Sequence, residues 1–323
     1  MDGSVQELID KADKLDVNPE IPEYSTNWCD IPREMRMECI KWMDFKTRTR
    51  LGATSKTEKS LVEAKKYHFD WVRLEHYISS LQSRTSNEVF DAMRYFSSFG
   101  NVHLQTVNNH EKTLNCLVNI LKNCQIDTFE FLERNFRSKL PDNWSEIEKC
   151  APFRFKTFKS SGFASTAAMF FLRNCAGVEN IVLNNNFPTP NYKLSDFLNL
   201  PVVINADFVH FKYLGESDRG VHQLVQKWID NQSEIGKSLR IVVTEFVGFV
   251  DSFASEFKDR VIYKKNNEVR IRTNDESKHI LMRCDRDERS RFNESYYSCT
   301  IIPSNLLESE YRKLFNQLGM ERL

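Results

Sequence analysis

The stretch from Ile31 to Val62, IPREMRMECIKWMDFKTRTRLGATSKTEKSLV, constrains this chain more than any other. It reads as three short helices in close succession. Pro32, with its fixed φ and missing N–H, suits the opening of the first. Met35, Cys39/Ile40 and Met43 then form one apolar stripe. Asp44-Phe45-Lys46-Thr47 breaks the pattern, and Thr47 is expected to cap a second helix carrying Leu51 and Ala53, kept short by Gly52. Ser55 is expected to cap a third, with Leu61 and Val62 following. Helices this short cannot bury their apolar side chains against one another alone. They need the rest of the chain or a partner.

These residues resemble the F-box, the three-helix module by which substrate receptors dock on the Skp adaptor of SCF ubiquitin ligases. The family pattern begins Leu-Pro-x-Glu, continues with a Leu/Ile-rich turn, then Leu-Asp, then a Val-Ser-Arg-like step. Here Ile31-Pro32, Glu34, Met35, Met37, Ile40, Met43-Asp44, Leu51, Thr54-Ser55-Lys56 and Leu61 match it without a gap. Arg36 and Arg48 stand where the family usually has Leu, and Glu58 where it often has Trp. Trp28-Cys29-Asp30-Ile31-Pro32, with Met43-Asp44-Phe45-Lys46, also looks like the nematode set of F-box proteins with an FTH-type associated domain. The resemblance implies docking on a Skp-type adaptor, and through it a cullin, by Ile31, Pro32, Met35, Met37, Ile40, Met43, Leu51 and Leu61. The competing reading is an ordinary helical cap on the domain that follows.

The composition narrows the remaining classes. Lys+Arg and Asp+Glu both number 45, so the formal charge is zero. That removes the electrostatic footprint of a general nucleic-acid binder. Locally, residues 1–27 are acidic and the F-box stretch is basic. No apolar run approaches a membrane span and no signal-peptide centre is present, so a soluble, intracellular protein (cytoplasmic or nuclear) is expected. The eight cysteines are scattered without C-x-x-C pairs, which favours free buried thiols over disulfides or zinc.

Residues 1–27 are expected to be a mobile tail and 28–66 the F-box. From Asn101 the chain repeats. Strand-like runs marked by Leu104, Phe129, Phe155, Ile181, Phe208 and Ile241 recur every 25 to 33 residues or so, with amphipathic helices between most of them. The helical stripes are Leu114/Leu117/Val118/Leu121, Ala168/Phe171/Leu172/Cys175 (ended by Gly177) and Val221/Leu224/Val225/Trp228. Ile181-x-Leu183-x-x-Asn186 matches a leucine-rich-repeat core. The expected fold class is therefore α+β: a three-helix F-box, an irregular βα-repeat solenoid over 67–257, and a β-meander with a capping helix over 258–323. A three-layer α/β sheet would give the same alternation.

No constellation for catalysis, metal or cofactor emerges. Gly215 and Gly220 have P-loop spacing, but Val221-His222 replaces the required Lys-Ser/Thr, so a loop before a helix is expected. The function expected is that of an SCF substrate receptor, not an enzyme; a non-ligase interaction scaffold is the alternative, and an enzyme on the α/β domain ranks last. If the apolar strand residues point into the core, their neighbours line an open face. Arg154, Lys156, His210, Lys212 and Arg240 are the candidate contacts for an acidic or phosphorylated target segment.

Overall fold

The computed structural model describes residues 27–77, 101–107, 111–133, 144–162, 165–185, 193–212, 218–243, 248–286 and 295–311. The expected N-terminal tail, Asn186 and most of the expected final helix lie outside these residues. The chain divides into two compact units, Met1–Lys66 and Tyr67–Leu323.

The first unit holds α1 (Arg33–Trp42), α2 (Phe45–Gly52) and α3 (Lys56–Ala64), preceded by a 3-10 turn at Trp28–Asp30. Ser55 caps α3 as expected, its Oγ accepting the Glu58 N–H at 3.1 Å. The second helix begins earlier than the sequence suggested. Asp44, not Thr47, is its cap: Asp44 Oδ1 accepts the Thr47 N–H at 2.6 Å. A carboxylate at this place satisfies a free N–H and complements the helix dipole. The bonds from Thr47 hold the Asp44 carboxyl below the usual carboxylate range.

The second unit is built on one sheet. In chain order its elements are β1 (Tyr67–Tyr77), β2 (Asn101–Val107), α4 (Glu111–Asn123), β3 (Cys124–Glu133), α5 (Ser145–Glu148), β4 (Phe153–Gly162) and α6 (Ser165–Arg173). There follow β5 (Cys175–Gly177), β6 (Asn180–Asn185), α7 (Leu194–Leu198), α8 (Pro201–Asn205), β7 (Phe208–Lys212), α9 (Asp218–Asp230), β8 (Ser238–Val243) and α10 (Phe249–Glu256). The chain then makes β9 (Val261–Lys264), β10 (Glu268–Arg272), β11 (Lys278–Arg286) and β12 (Ser295–Pro303). The strand order is β2-β1-β3-β4-β6-β7-β8-β12-β11-β10-β9, with β5 paired to β4 off that path.

From β3 to β8 each new strand is laid parallel beside the last along this path. The start departs from that progression. β1, where residues 68–74 alternate in strand fashion, is a full strand flanked by β2 on one side and β3 on the other. Residues 261–303 form the expected antiparallel meander, and β12 hydrogen-bonds β8, so the meander continues the same sheet. Cys175 and Gly177 belong to β5 rather than to the stripe and stop of a helix, because α6 already ends at Arg173.

Register explains where the core sits. One row runs across the strands from Val72 through Phe129, Phe158, Ile181 and Val209 to Leu239, then Cys299, Met282 and Val269. Every member is 0% exposed. Helices cover this face. Phe171 of α6 packs on Phe129 (4.8 Å between ring centroids) and on Phe158 (5.9 Å). Phe197 of α7 meets Phe211, and Phe249 of α10 stacks on Tyr297 at 3.9 Å. The apolar strand residues that alternation assigns to the core (Leu104, Phe129, Phe131, Phe155, Ile181, Leu183, Val209, Phe211, Leu239 and Ile241) are all buried.

Candidate functional site

In the first unit the apolar positions separate into two sets. Ile40 and Leu61 are 0% and 3% exposed, Phe45 is buried too, and all three serve folding. That corrects the expectation that Ile40 and Leu61 present a docking surface. Pro32 and Met35 are exposed, while Ile31, Met37, Met43 and Leu51 are half-buried. Trp42, which the sequence pattern did not single out, is 89% exposed.

The three positions that depart from the family pattern carry the polar interior of the unit. Glu58, 5% exposed, accepts from Trp28 Nε1 at 2.9 Å and from Arg36 Nη1 at 2.8 Å. Arg48, also 5% exposed, donates to the carbonyls of Met43, Lys65 and Lys41, each at 3.1 Å. A buried charge is tolerated only when its hydrogen bonds are met, and both groups meet that condition. Polar ties thus stand where the pattern has apolar contacts.

In the sheet, the candidate cations are divided by a corner. Two buried rows on β1, β3 and β4 stand three residues apart: Phe69, Ile126 and Phe155, then Val72, Phe129 and Phe158. The step of three, instead of two, reverses which residues face the helices. It occurs at the same register in all three strands, so pairing is kept on both sides of it. The row at the corner is Asp70, Asp127 and Lys156. It continues through Glu179 and Asp207, whose backbone N–H groups donate to Lys156 O at 2.9 Å and Glu179 O at 2.8 Å.

Charges in this row pair with one another. Asp127 Oδ1 lies 3.1 Å from His68 Nε2 and 3.3 Å from Lys156 Nζ. The hydrogen bond from His68, then that from Lys156, hold the Asp127 carboxyl below its usual range. His68, Asp70 and Asp127 offer ligand atoms within 4.8 Å of one another, a spacing that a metal ion would accept. The Lys156 ammonium already sits on the same Asp127 carboxylate, so the group fits an ion-pair cluster better.

Beyond the corner, the face opposite the helices carries a row in register: Arg73, Glu130, Lys159, Val182, His210 and Arg240. His210 and Arg240 are therefore neighbours, with Lys212 two residues along β7 from His210. Arg154 lies on the other side of the corner and Lys156 at the corner itself, and Lys159 takes the place in the row that alternation had given to them. Arg73 grips Glu130 with two bonds of 2.9 and 3.0 Å, Trp71 Nε1 adds a third at 3.1 Å, and the guanidinium lies 4.7 Å from the Trp71 ring. Arg240, 5% exposed, lies 3.8 Å over the Tyr296 ring. At the meander end the chain itself crosses this face: Arg270 donates to Leu306 O, Pro303 O, Ser304 O, the Tyr311 hydroxyl and His279 Nδ1.

Compared with known protein families, residues 28–70 match the F-box domain. No curated protein matches the chain. The match covers the three helices and the first residues of β1, and it supports an F-box protein. Such proteins typically are non-catalytic receptors that bind a Skp-type adaptor in SCF complexes.

Proposed function

We propose that this chain is the substrate-receiving subunit of an SCF-type ubiquitin ligase. It docks on a Skp-type adaptor, and through it on a cullin, by its F-box, and it holds target proteins on the sheet that follows. The F-box match over α1, α2 and α3 carries this reading. The second unit is best read as an FTH-type, leucine-rich-repeat-like domain, a reading supported by the chain-order addition of parallel strands from β3 to β8. The receptor's mechanism is positional. It raises the local concentration of a target lysine near the ubiquitin-loaded enzyme on the cullin arm, in cytosol or nucleus, and does no chemistry itself. An acidic or phosphorylated target segment suits the face bearing Lys159 and Lys212. The expected contacts His210 and Arg240 are 8% and 5% exposed and belong to the packing beneath it. The test is reconstitution of the purified chain with a Skp-type adaptor and cullin. One co-eluting complex is expected; a chain that elutes apart from the adaptor is an interaction scaffold outside the ligase.

A further inference from the structure

A cavity opens where the sheet lacks a strand. β5 pairs with β4 through Phe153 with Cys175 and Arg154 with Gly177, and β6 takes its place beside β4 from Asn180 on. The next strand, β7, starts only at Phe208, so among the described residues no strand lies beyond β5. Helix α8 stands there instead. Strands pair about 4.8 Å apart, whereas a helix with its side chains is about 10 Å across, so α8 cannot close on β5 as a strand would. About 400 Å³ is left between them, within the range of small-ligand sites. Three buried side chains wall it, Phe155, Val178 and Val202. Cys175 joins them, its thiol pushed up to about 12 by burial and so neutral at physiological pH. The charged residues that line the cavity are both acids, Glu179 and Asp207, and both are exposed. They close one end, where the Asp207 and Phe208 N–H groups donate to Glu179 O at 2.8 and 3.0 Å. The neighbouring cations are engaged. Lys156 sits on Asp127 at 3.3 Å, and Lys237, though 3.8 Å from Asp207, donates to the carbonyls of Asn205 and Ala206. Glu179 has no ion pair among the described residues.

We propose that this cavity receives a lysine or arginine side chain from a partner protein, its stem against Phe155, Val178 and Val202 and its charged end beside Glu179 and Asp207. Both side chains bury an aliphatic stem and keep the head in water, which is what an apolar slot with an acidic end offers. The site is separate from the lysine-bearing face that suits acidic segments, and it holds whether or not the chain docks on an adaptor. The probe is acetyl-Gly-Arg-Gly-amide, titrated into the full chain and followed by the amide NMR signals of Gly177 and Glu179. Roughly millimolar binding is expected for one side chain, weakened severalfold by about 0.5 M salt. The same peptide with citrulline, which keeps the shape and loses the charge, should bind about tenfold more weakly. Glu179→Gln with Asp207→Asn should weaken the arginine peptide as much, with an unchanged melting temperature, since both residues are exposed. If Asp207→Asn lowers the melting temperature by freeing Lys237, Glu179→Gln alone carries the test and should weaken binding about threefold. Gly177 gives an independent block. Its φ is not left-handed and a Cβ there would meet nothing within 4 Å, so Gly177→Phe should fold and exclude the peptide. No shift up to about 20 mM peptide, equal binding of the citrulline peptide, or wild-type binding by the carboxylate or Gly177 variants would overturn the proposal. Tighter binding of free arginine than of the blocked peptide would assign the cavity to an amino acid and overturn it as well.

Discussion

At the scale of single residues, the first unit is held by charges that the low-dielectric interior makes costly to leave unpaired. Arg36 and Glu58 are 15% and 7% exposed at the side chain and 2.8 Å apart. Replacing one partner of such a pair strands the other, whereas replacing both with apolar residues of similar volume is often neutral or better. Arg36→Leu alone should therefore destabilise the first unit by about 3 kcal/mol, and Glu58→Leu alone by a similar amount. Arg36→Leu with Glu58→Leu should recover most of that loss, less the bond to Trp28. Urea denaturation of the three variants checks this, and additive losses in the double variant would contradict it. Arg48 differs in kind. Three of its acceptors are backbone carbonyls, which no second substitution can remove, so a double variant should rescue little of its loss.

At the scale of elements, two contacts show how close packing sets limits that pattern does not reveal. Gly220 lies within α9, where alanine would ordinarily favour the helix. A Cβ there would meet the Ser195 backbone of α7 at 3.2 and 3.3 Å. Backbone yields less than a side-chain tip, so Gly220→Ala should lose about 1–2 kcal/mol, read as a lower melting temperature. The other contact joins β10 and β11, where Arg270 Nε donates to His279 Nδ1 at 3.0 Å and so requires that nitrogen unprotonated. Burial, then Arg270 and Arg272, push the His279 pKa below its ordinary 6.5. In the window below 6.5 the unfolded chain binds a proton that the folded chain refuses. Stability is therefore present above that value and falls as pH drops through it, levelling once the folded form also takes the proton. His279→Gln, which keeps an acceptor and does not titrate, should show a shallower loss of melting temperature between pH 7.5 and 5.5 than the wild type. An equal slope would place the acid sensitivity elsewhere.

At the scale of the molecule, the target-binding proposal depends on the corner in the sheet. Lys159 shares a face and a register row with His210 and Arg240, while Arg154 stands before the corner and Lys156 at it, paired to Asp127. Exposed ion pairs contribute at most about 1 kcal/mol each, so charge reversal must remove several to be decisive. Lys159→Glu with Lys212→Glu should abolish capture of an acidic target, with adaptor affinity intact. Arg154→Glu with Lys156→Glu should have little effect. The reverse pattern in affinity purification would move the target site to the corner.

The sequence by itself determined the elements. Three short helices, six strand runs at repeat spacing and an antiparallel end are local properties of turn residues and apolar period. The structure has them, with the cap of the second helix moved from Thr47 back to Asp44. Local pattern also carried the F-box resemblance, because a docking module is a short contiguous run. What only the tertiary structure decided is which side of each element matters. The apolar sector of α1 is one stripe in sequence, yet its Ile40 half packs inward and its Trp42 half faces water, since the size of the neighbouring helices limits what can be covered. The corner at Asp70, Asp127 and Lys156 reverses the strand alternation by one residue, and no strand read alone shows that its neighbours bend at the same register. Pairing across the sheet fixes that bend, and with it which lysine stands beside His210 and Arg240.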